Sequence, residues 1–268
     1  MLVALVSLDQ VWQDKPANLE RCIAFMERVK SHGCELIVFP EMTLTGYSLA
    51  MDDTAESEAD SPTLRWFGRA CRDTGLAAVF GACLRDSSTG KSRNTWCLAR
   101  PSGEASVIYS KIHPFSFAGE DKVLEAGDSL GMAQVGNLNM GAAICYDLRF
   151  PELYAAMARQ CDAVITIANW PERRVGHWRA LLVARAIENQ CFMFGVNRTG
   201  TDGNGLQYQR SSIAVTPDGS LLAPAIAGDE FDIYDIEPED AAAYRASFPT
   251  LRDKRYALYA DMLRRIDE

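Results

Sequence analysis

The segment Cys145-Tyr146-Asp147-Leu148-Arg149-Phe150-Pro151-Glu152 follows an apolar run, so a thiol stands where a buried strand breaks into a turn. A sulfur nucleophile needs a partner that removes and returns its proton. Pro151 and Glu152 suit the first turn of a following helix. The free N–H groups of that turn favour an anion, and the setting is expected to lower the thiol pKa of Cys145. Histidine is the usual partner, but the chain has only His32, His113 and His177. His32 reads as a helix-end residue, and no orienting carboxylate is visible in the segments of the other two. Carboxylates are the better base. The apolar run 36–39 ends on Pro40-Glu41, ahead of Thr45-Gly46-Tyr47. The carboxyl edge of a sheet is where α/β proteins gather reactive groups, and an acid there can serve as general base. Lys111 likewise follows a strand-like run ending in Tyr109-Ser110. Taken singly, either charge reads as solvated surface.

Taken together, three blocks occur in order: Phe39-Pro40-Glu41 with Gly46-Tyr47, then Ser110-Lys111-Ile112-His113, then 145–152. This pattern resembles the nitrilase superfamily of carbon–nitrogen hydrolases. The resemblance continues through Asn169-Trp170-Pro171, 184–190, 196–200 and 202–205, so it spans nearly the whole chain. The later blocks most resemble the omega-amidase branch, which hydrolyses the side amide of 2-oxo acids such as 2-oxoglutaramate. The resemblance implies an α/β fold, a four-layer α-β-β-α sandwich of the nitrilase type. It also implies that Cys145 attacks an amide carbon while Glu41 takes the thiol proton. Lys111 and the Tyr146 backbone N–H would stabilise the oxyanion; ammonia leaves, and Glu41 activates water against the thioester. The family carries a second acid after the lysine. Glu120, nine residues on, is the choice, although Asp121 and Glu125 lie close and spacing alone does not decide. No metal and no cofactor is implied.

Tyr47, Asn169 and Trp170 are candidate pocket walls. A substrate carboxylate needs a cation. Arg173, Arg174 and Arg198 are nearest by segment, and Arg173 is taken as the binding candidate without the sequence choosing among them. Arg149 and Glu152 read as an ion pair fixing the turn. A deaminated glutathione amidase, an N-carbamoyl hydrolase or a true nitrilase could use the same residues. Outside enzymes, the alternative is a noncatalytic binding or scaffold protein of the same fold, against which the intact Glu41, Lys111 and Cys145 speak.

These side chains need a scaffold, and the chain of 268 residues is long enough to build one core. We read residues 1–268 as one domain. Apolar runs at 2–8, 35–39, 76–84, 138–145, 163–168 and 191–196 alternate with helical periodicity, including helices at 151–160 and 175–189. Turn signals at Pro101-Ser102-Gly103 and Pro217-Asp218-Gly219 mark antiparallel pairs within 94–109 and 211–234. Residues 51–62 read as a long surface loop, and the charged, helical segment 238–268 is expected to pack on a partner subunit in a homodimer.

With 27 Lys and Arg against 36 Asp and Glu, the formal charge of −9 excludes a phosphate-backbone surface and disfavours acidic membranes. No apolar run approaches the roughly 20 residues that cross a bilayer, and the apolar start lacks a basic leader. Eight cysteines without a C-x-x-C pair read as free thiols in a reducing cytoplasm. Dinucleotide, P-loop and serine-elbow signatures are missing from the sequence.

Overall fold

The computed structural model describes residues 1–265; the last three residues of the 238–268 segment lie outside the described residues. Two twisted sheets carry the chain. The first has the order Ile226–Ala227, Phe231–Asp235, Leu2–Val6, Leu36–Val38, Ala77–Arg85, Ser92–Ala99, Ala105–Ser110. Its three central strands, Leu2–Val6, Leu36–Val38 and Ala77–Arg85, are parallel, and antiparallel pairs flank them. The second sheet has the order Ile213–Val215, Phe192–Asn197, Ala163–Ala168, Leu138–Ile144, Gly131–Val135, again with a parallel centre and antiparallel edges.

Alternation of side chains along each strand explains how one sheet serves two cores. Val3, Leu5, Leu36, Val38, Ala77 and Val79 point at the second sheet, within one apolar cluster. Their neighbours Ala4, Val6, Ile37, Ala78 and Phe80 point outward, onto Cys22, Met26, Phe67 and Cys71 of the helices Lys15–Lys30 and Pro62–Thr74. Asp14 and Ser61 cap those two helices, and a proline opens each. On the far side, the helices Pro151–Met157 and Val175–Asn189 cover the second sheet. Gly195 permits the close seat of the latter: a Cβ there would meet Leu182 Cδ1 at 2.3 Å. The layers are therefore helix, sheet, sheet, helix, as the resemblance implies.

The helix expected at 151–160 stops at Met157, and 51–62 is not an open loop. It forms the helix Met51–Thr54, the short strand Glu56–Ser57 and a tight turn at Glu58–Asp60. Glu56 organises this segment by accepting from Lys15, Ser61 and Thr63, contacts invisible to a local reading. Among the described residues, no helix is long and apolar enough to cross a membrane.

Candidate active site

Four strand ends converge. Leu36–Val38 leads into Glu41, Ala105–Ser110 into Lys111, Leu138–Ile144 into Cys145, and Ala163–Ala168 into Asn169. The acid and the ammonium thus come from the first sheet, and the thiol and the amide from the second.

Glu41 stands on a tight turn made possible by two features. Met42 adopts φ +47°, and Gly81 on the adjacent strand leaves room, since a Cβ there would meet Met42 N at 2.4 Å. The turn's carbonyls are tied down by Gln10, whose Nε2 donates to the oxygens of Glu41, Met42 and Thr43. The Glu41 carboxylate is fully buried. Its Oε1 accepts from Lys111 Nζ at 3.1 Å and from Asn94 Nδ2 at 2.8 Å, and its Oε2 accepts from Asn169 N at 2.8 Å.

Of the three acids that spacing leaves open, Glu120 is the one that contacts Lys111. It is fully buried and accepts from Lys111 Nζ at 2.8 Å, Asn94 Nδ2 at 3.0 Å, Phe115 N at 2.7 Å and the Tyr47 hydroxyl at 3.2 Å. Asp121 is exposed, and Glu125 pairs with Lys91 and Arg93. Burial alone would strip the Lys111 proton, but Glu41 and Glu120 reverse that and hold the ammonium well above its ordinary pKa. Burial likewise opposes the Glu120 anion, and Lys111, with the Asn94 and Phe115 donors, holds it below the usual carboxylate range. Two carboxylates thus share one ammonium.

Cys145 has φ +46°, a left-handed conformation unusual for a residue with a side chain, and its Sγ donates to Asn169 O at 3.8 Å. Because Asn169 N donates to Glu41, this one residue touches both thiol and acid. The expected lowering of the thiol pKa is overturned. Cys145 opens a tight turn, Cys145–Arg149, and the helix begins only at Pro151. Burial, reinforced by Glu41, raises the thiol well above its ordinary value despite Lys111. Both effects favour the neutral thiol over the thiolate. Tyr146, second in the turn, has an amide with no partner further back in it.

A cavity of about 510 Å³ opens over this group and is lined by Tyr47, Lys111, Cys145, Tyr146, Asn169 and Trp170. A larger hollow of about 690 Å³ beside the helix Glu239–Ser247 lies away from all of them. Three arginines also line the reactive cavity: Arg149, Arg173 and Arg174. None of the three has a carboxylate within 4.0 Å among the described residues. Arg149 does not pair with Glu152; its guanidinium lies 4.8 Å from the Trp170 ring centre. Arg174 lies over Phe115, and burial together with the Arg173 and Arg149 charges lowers its pKa. Arg198, the third sequence candidate, is fully buried and donates to the carbonyls of Gln10 and Thr199, which removes it from the cavity.

Sequence reasoning missed Asn94, Gln10, Asn197 and the role of Asp147. Asn94 shares a strand face with the core residues Trp96 and Leu98, so an amide at a core-facing position was the available signal. Asn197 exchanges hydrogen bonds with both backbone groups of Trp170 and thereby fixes that wall. His113 has a carboxylate after all: Asp147, 2.8 Å from its Nδ1, which comes from a distant segment.

The carbon–nitrogen hydrolase family profile matches residues 2–246. The chain is 35% identical to omega-amidase YafV of Escherichia coli over 94% of its own length and 95% of the relative's. It is 31% identical to a 2-oxoglutaramate amidase of Bacillus subtilis, over 91% and 94% of the two chains. A carbon–nitrogen hydrolase superfamily protein from Xanthomonas campestris, solved with an arsenic adduct in its active site, superposes with a TM-score of 0.86 at 29% identity, covering 95% of this chain and 97% of that one.

Proposed function

The chain belongs to the carbon–nitrogen hydrolase family and is an amidase-type hydrolase, and from that premise we propose that it hydrolyses the omega-amide of a small 2-oxo acid such as 2-oxoglutaramate. The observation that carries the reading is a half-buried thiol and a buried ammonium lining a cavity, with the buried Glu41 paired to that ammonium and three arginines in the wall that have no carboxylate partner among the described residues. The floor suits an amide, and the wall suits a carboxylate a few ångströms away on the same molecule.

In this reading the Cys145 sulfur bonds to the amide carbon as its proton passes to Glu41. A raised thiol pKa fits such coupled transfer, because charge then appears on sulfur only as the bond forms. Lys111 and the Tyr146 N–H stabilise the oxyanion, and the ammonium is already held in place by its two carboxylates before charge develops. Glu41 gives its proton to the leaving nitrogen, and ammonia departs. Water deprotonated by Glu41 then cleaves the thioester, regenerating the thiol and releasing the acid. Glu120 and Asn94 hold Lys111 and Glu41 in register. Arg149, Arg173 and Arg174 are the candidates for the distal carboxylate, with Tyr47, Asn169 and Trp170 as walls.

We further read residues 1–268 as one unit that forms a homodimer in the cytoplasm. Exposed Phe248, Tyr259, Met262 and Leu263 on the C-terminal segment support the pairing, and eight free cysteines support the compartment. The substrate is tested by ammonia release from 2-oxoglutaramate, 2-oxosuccinamate, a carbamoyl amino acid and a simple nitrile at equal enzyme concentration. Fastest turnover on 2-oxoglutaramate is expected; turnover of the nitrile or carbamoyl compound alone would overturn the assignment.

A further inference from the structure

Asp147 is fully buried, and among the described residues neither lysine nor arginine lies within 4.0 Å of it. Its four hydrogen bonds go instead to the two segments that carry the proposed nucleophile and ammonium. Oδ2 accepts from Ile144 N at 2.9 Å, the residue before Cys145, and from the Tyr109 hydroxyl at 2.8 Å, two residues before Lys111. Oδ1 accepts from His113 N at 3.2 Å and lies 2.8 Å from His113 Nδ1, two residues after Lys111. The Tyr109 hydroxyl in turn accepts from Ile112 N at 3.0 Å, and the His113 ring stacks on Phe150, with centres 3.8 Å apart. One carboxylate therefore brackets Lys111 on both sides and Cys145 on both sides, and it does so across the gap between the two sheets.

From this we propose that Asp147 is a positioning residue that clasps the Lys111 segment to the Cys145 turn, setting the distance between ammonium and sulfur. The inference rests on the Cys145 and Lys111 roles given above. A buried carboxylate is costly to leave unpaired, and here its partners are two backbone amides, a phenol and an imidazole. The arrangement also holds Cys145 in its left-handed conformation, since Asp147 grips the preceding amide and lies two residues beyond. Removal of the charge would free the turn from the strand end without touching any group that lines the cavity.

The test compares Asp147→Asn and the milder Tyr109→Phe with the parent enzyme at a temperature well below the melting transitions. Three quantities are followed: kcat and KM on 2-oxoglutaramate, the rate of acyl-enzyme formation by hydroxylamine trapping, and the rate of Cys145 alkylation by iodoacetamide. Alkylation needs sulfur and base but no oxyanion donor. Asp147→Asn is expected to lower kcat and acylation by about 30-fold, with KM changed less than about threefold. Alkylation should fall at least fivefold less than acylation. Tyr109→Phe should move the same quantities in the same direction by about threefold to tenfold, which keeps the proposal open to refutation even where Asp147→Asn fails to fold. Equal losses of alkylation and acylation, or a folded Asp147→Asn or Tyr109→Phe with parental kcat, would overturn the clasp. Cys145→Ala separates the two readings: if it retains activity, the nucleophile assignment itself falls, whereas an inactive Cys145→Ala beside fully active clasp variants sinks the clasp alone.

Discussion

Replacement of Lys111 by methionine probes the charge balance beneath the cavity. The ammonium lies 3.1 Å from Glu41 and 2.8 Å from Glu120, with its side chain about 1% exposed. At an effective dielectric near 20, each contact at about 3 Å corresponds to roughly 5 kcal/mol of attraction, offset by the desolvation of all three groups. The net cost of breaking such a buried cluster is about 3–5 kcal/mol, because two anions are left without a counterion. For a chain of this size each kcal/mol is worth roughly 2–4 °C, so the melting temperature should fall by about 6–20 °C at pH 8.

The pH dependence carries the sharper expectation. In the parent, Glu120 has a folded pKa below its unfolded value, so its contribution is present above the unfolded pKa and is lost as pH falls through the folded one. In Lys111→Met, burial and Glu41 act on Glu120 against only the Asn94 and Phe115 donors, which is expected to raise its folded pKa above the unfolded value. Stability is then fully present below the unfolded pKa and is lost as pH rises through the folded one. Melts between pH 5 and pH 8 should therefore show the variant recovering toward acid while the parent does not. Lys91→Met, which removes the same charge from an exposed pair with Glu125, is the control and should shift the melt by no more than a few degrees. Parallel pH profiles for parent and Lys111→Met would refute the shared-ammonium account.

Three further outcomes are expected. Iodoacetamide labelling of Cys145 should proceed near neutral pH without the steep rise of a free thiol titrating, and Glu41→Gln should slow it by about tenfold or more, since desolvation and the Glu41 charge disfavour a free thiolate and the thiol then relies on the acid to take its proton; tryptic mass mapping across pH reads both. Arg174→Gln should raise KM for 2-oxoglutaramate by about tenfold, as befits loss of a charge-assisted contact, and leave a neutral amide such as butyramide within about twofold; Arg173→Gln measured beside it assigns the carboxylate ligand. Gly195→Ala should cost about 2 kcal/mol, because its Cβ would lie 2.3 Å from Leu182 Cδ1 and 2.7 Å from Trp178 Cζ2, and denaturant melts would record it.

Much of the architecture was legible because hydrophobic period and turn residues are local properties. The helix Val175–Asn189 and the strand Ala163–Ala168 fall where the pattern predicts, and Gly75 ends the helix Pro62–Thr74 in the left-handed conformation that glycine allows. The motif blocks likewise led to Glu41, Lys111 and Cys145, since strand ends mark the rim of a sheet. What escaped was set by contacts between distant segments. For Cys145 the local pattern places a helix start next to the sulfur, whereas the turn Cys145–Arg149 intervenes and burial with the Glu41 charge disfavours the thiolate. Arg149 and Glu152 carry opposite charges three residues apart, yet the ring of Trp170 captures the arginine. Asn94 carries no local signal because the two carboxylates that share its amide come from distant segments.

The division of the reactive group between two sheets means that the apolar layer separating them is itself a ruler. Val38 and Ile144 lie in that layer, a few residues from Glu41 and next to Cys145. A one-methylene trim such as Ile144→Val would let the sheets drift by fractions of an ångström, too little to unfold the chain but enough to detune proton transfer. Interior packing here fixes the reach of a chemical step as well as the strength of the fold.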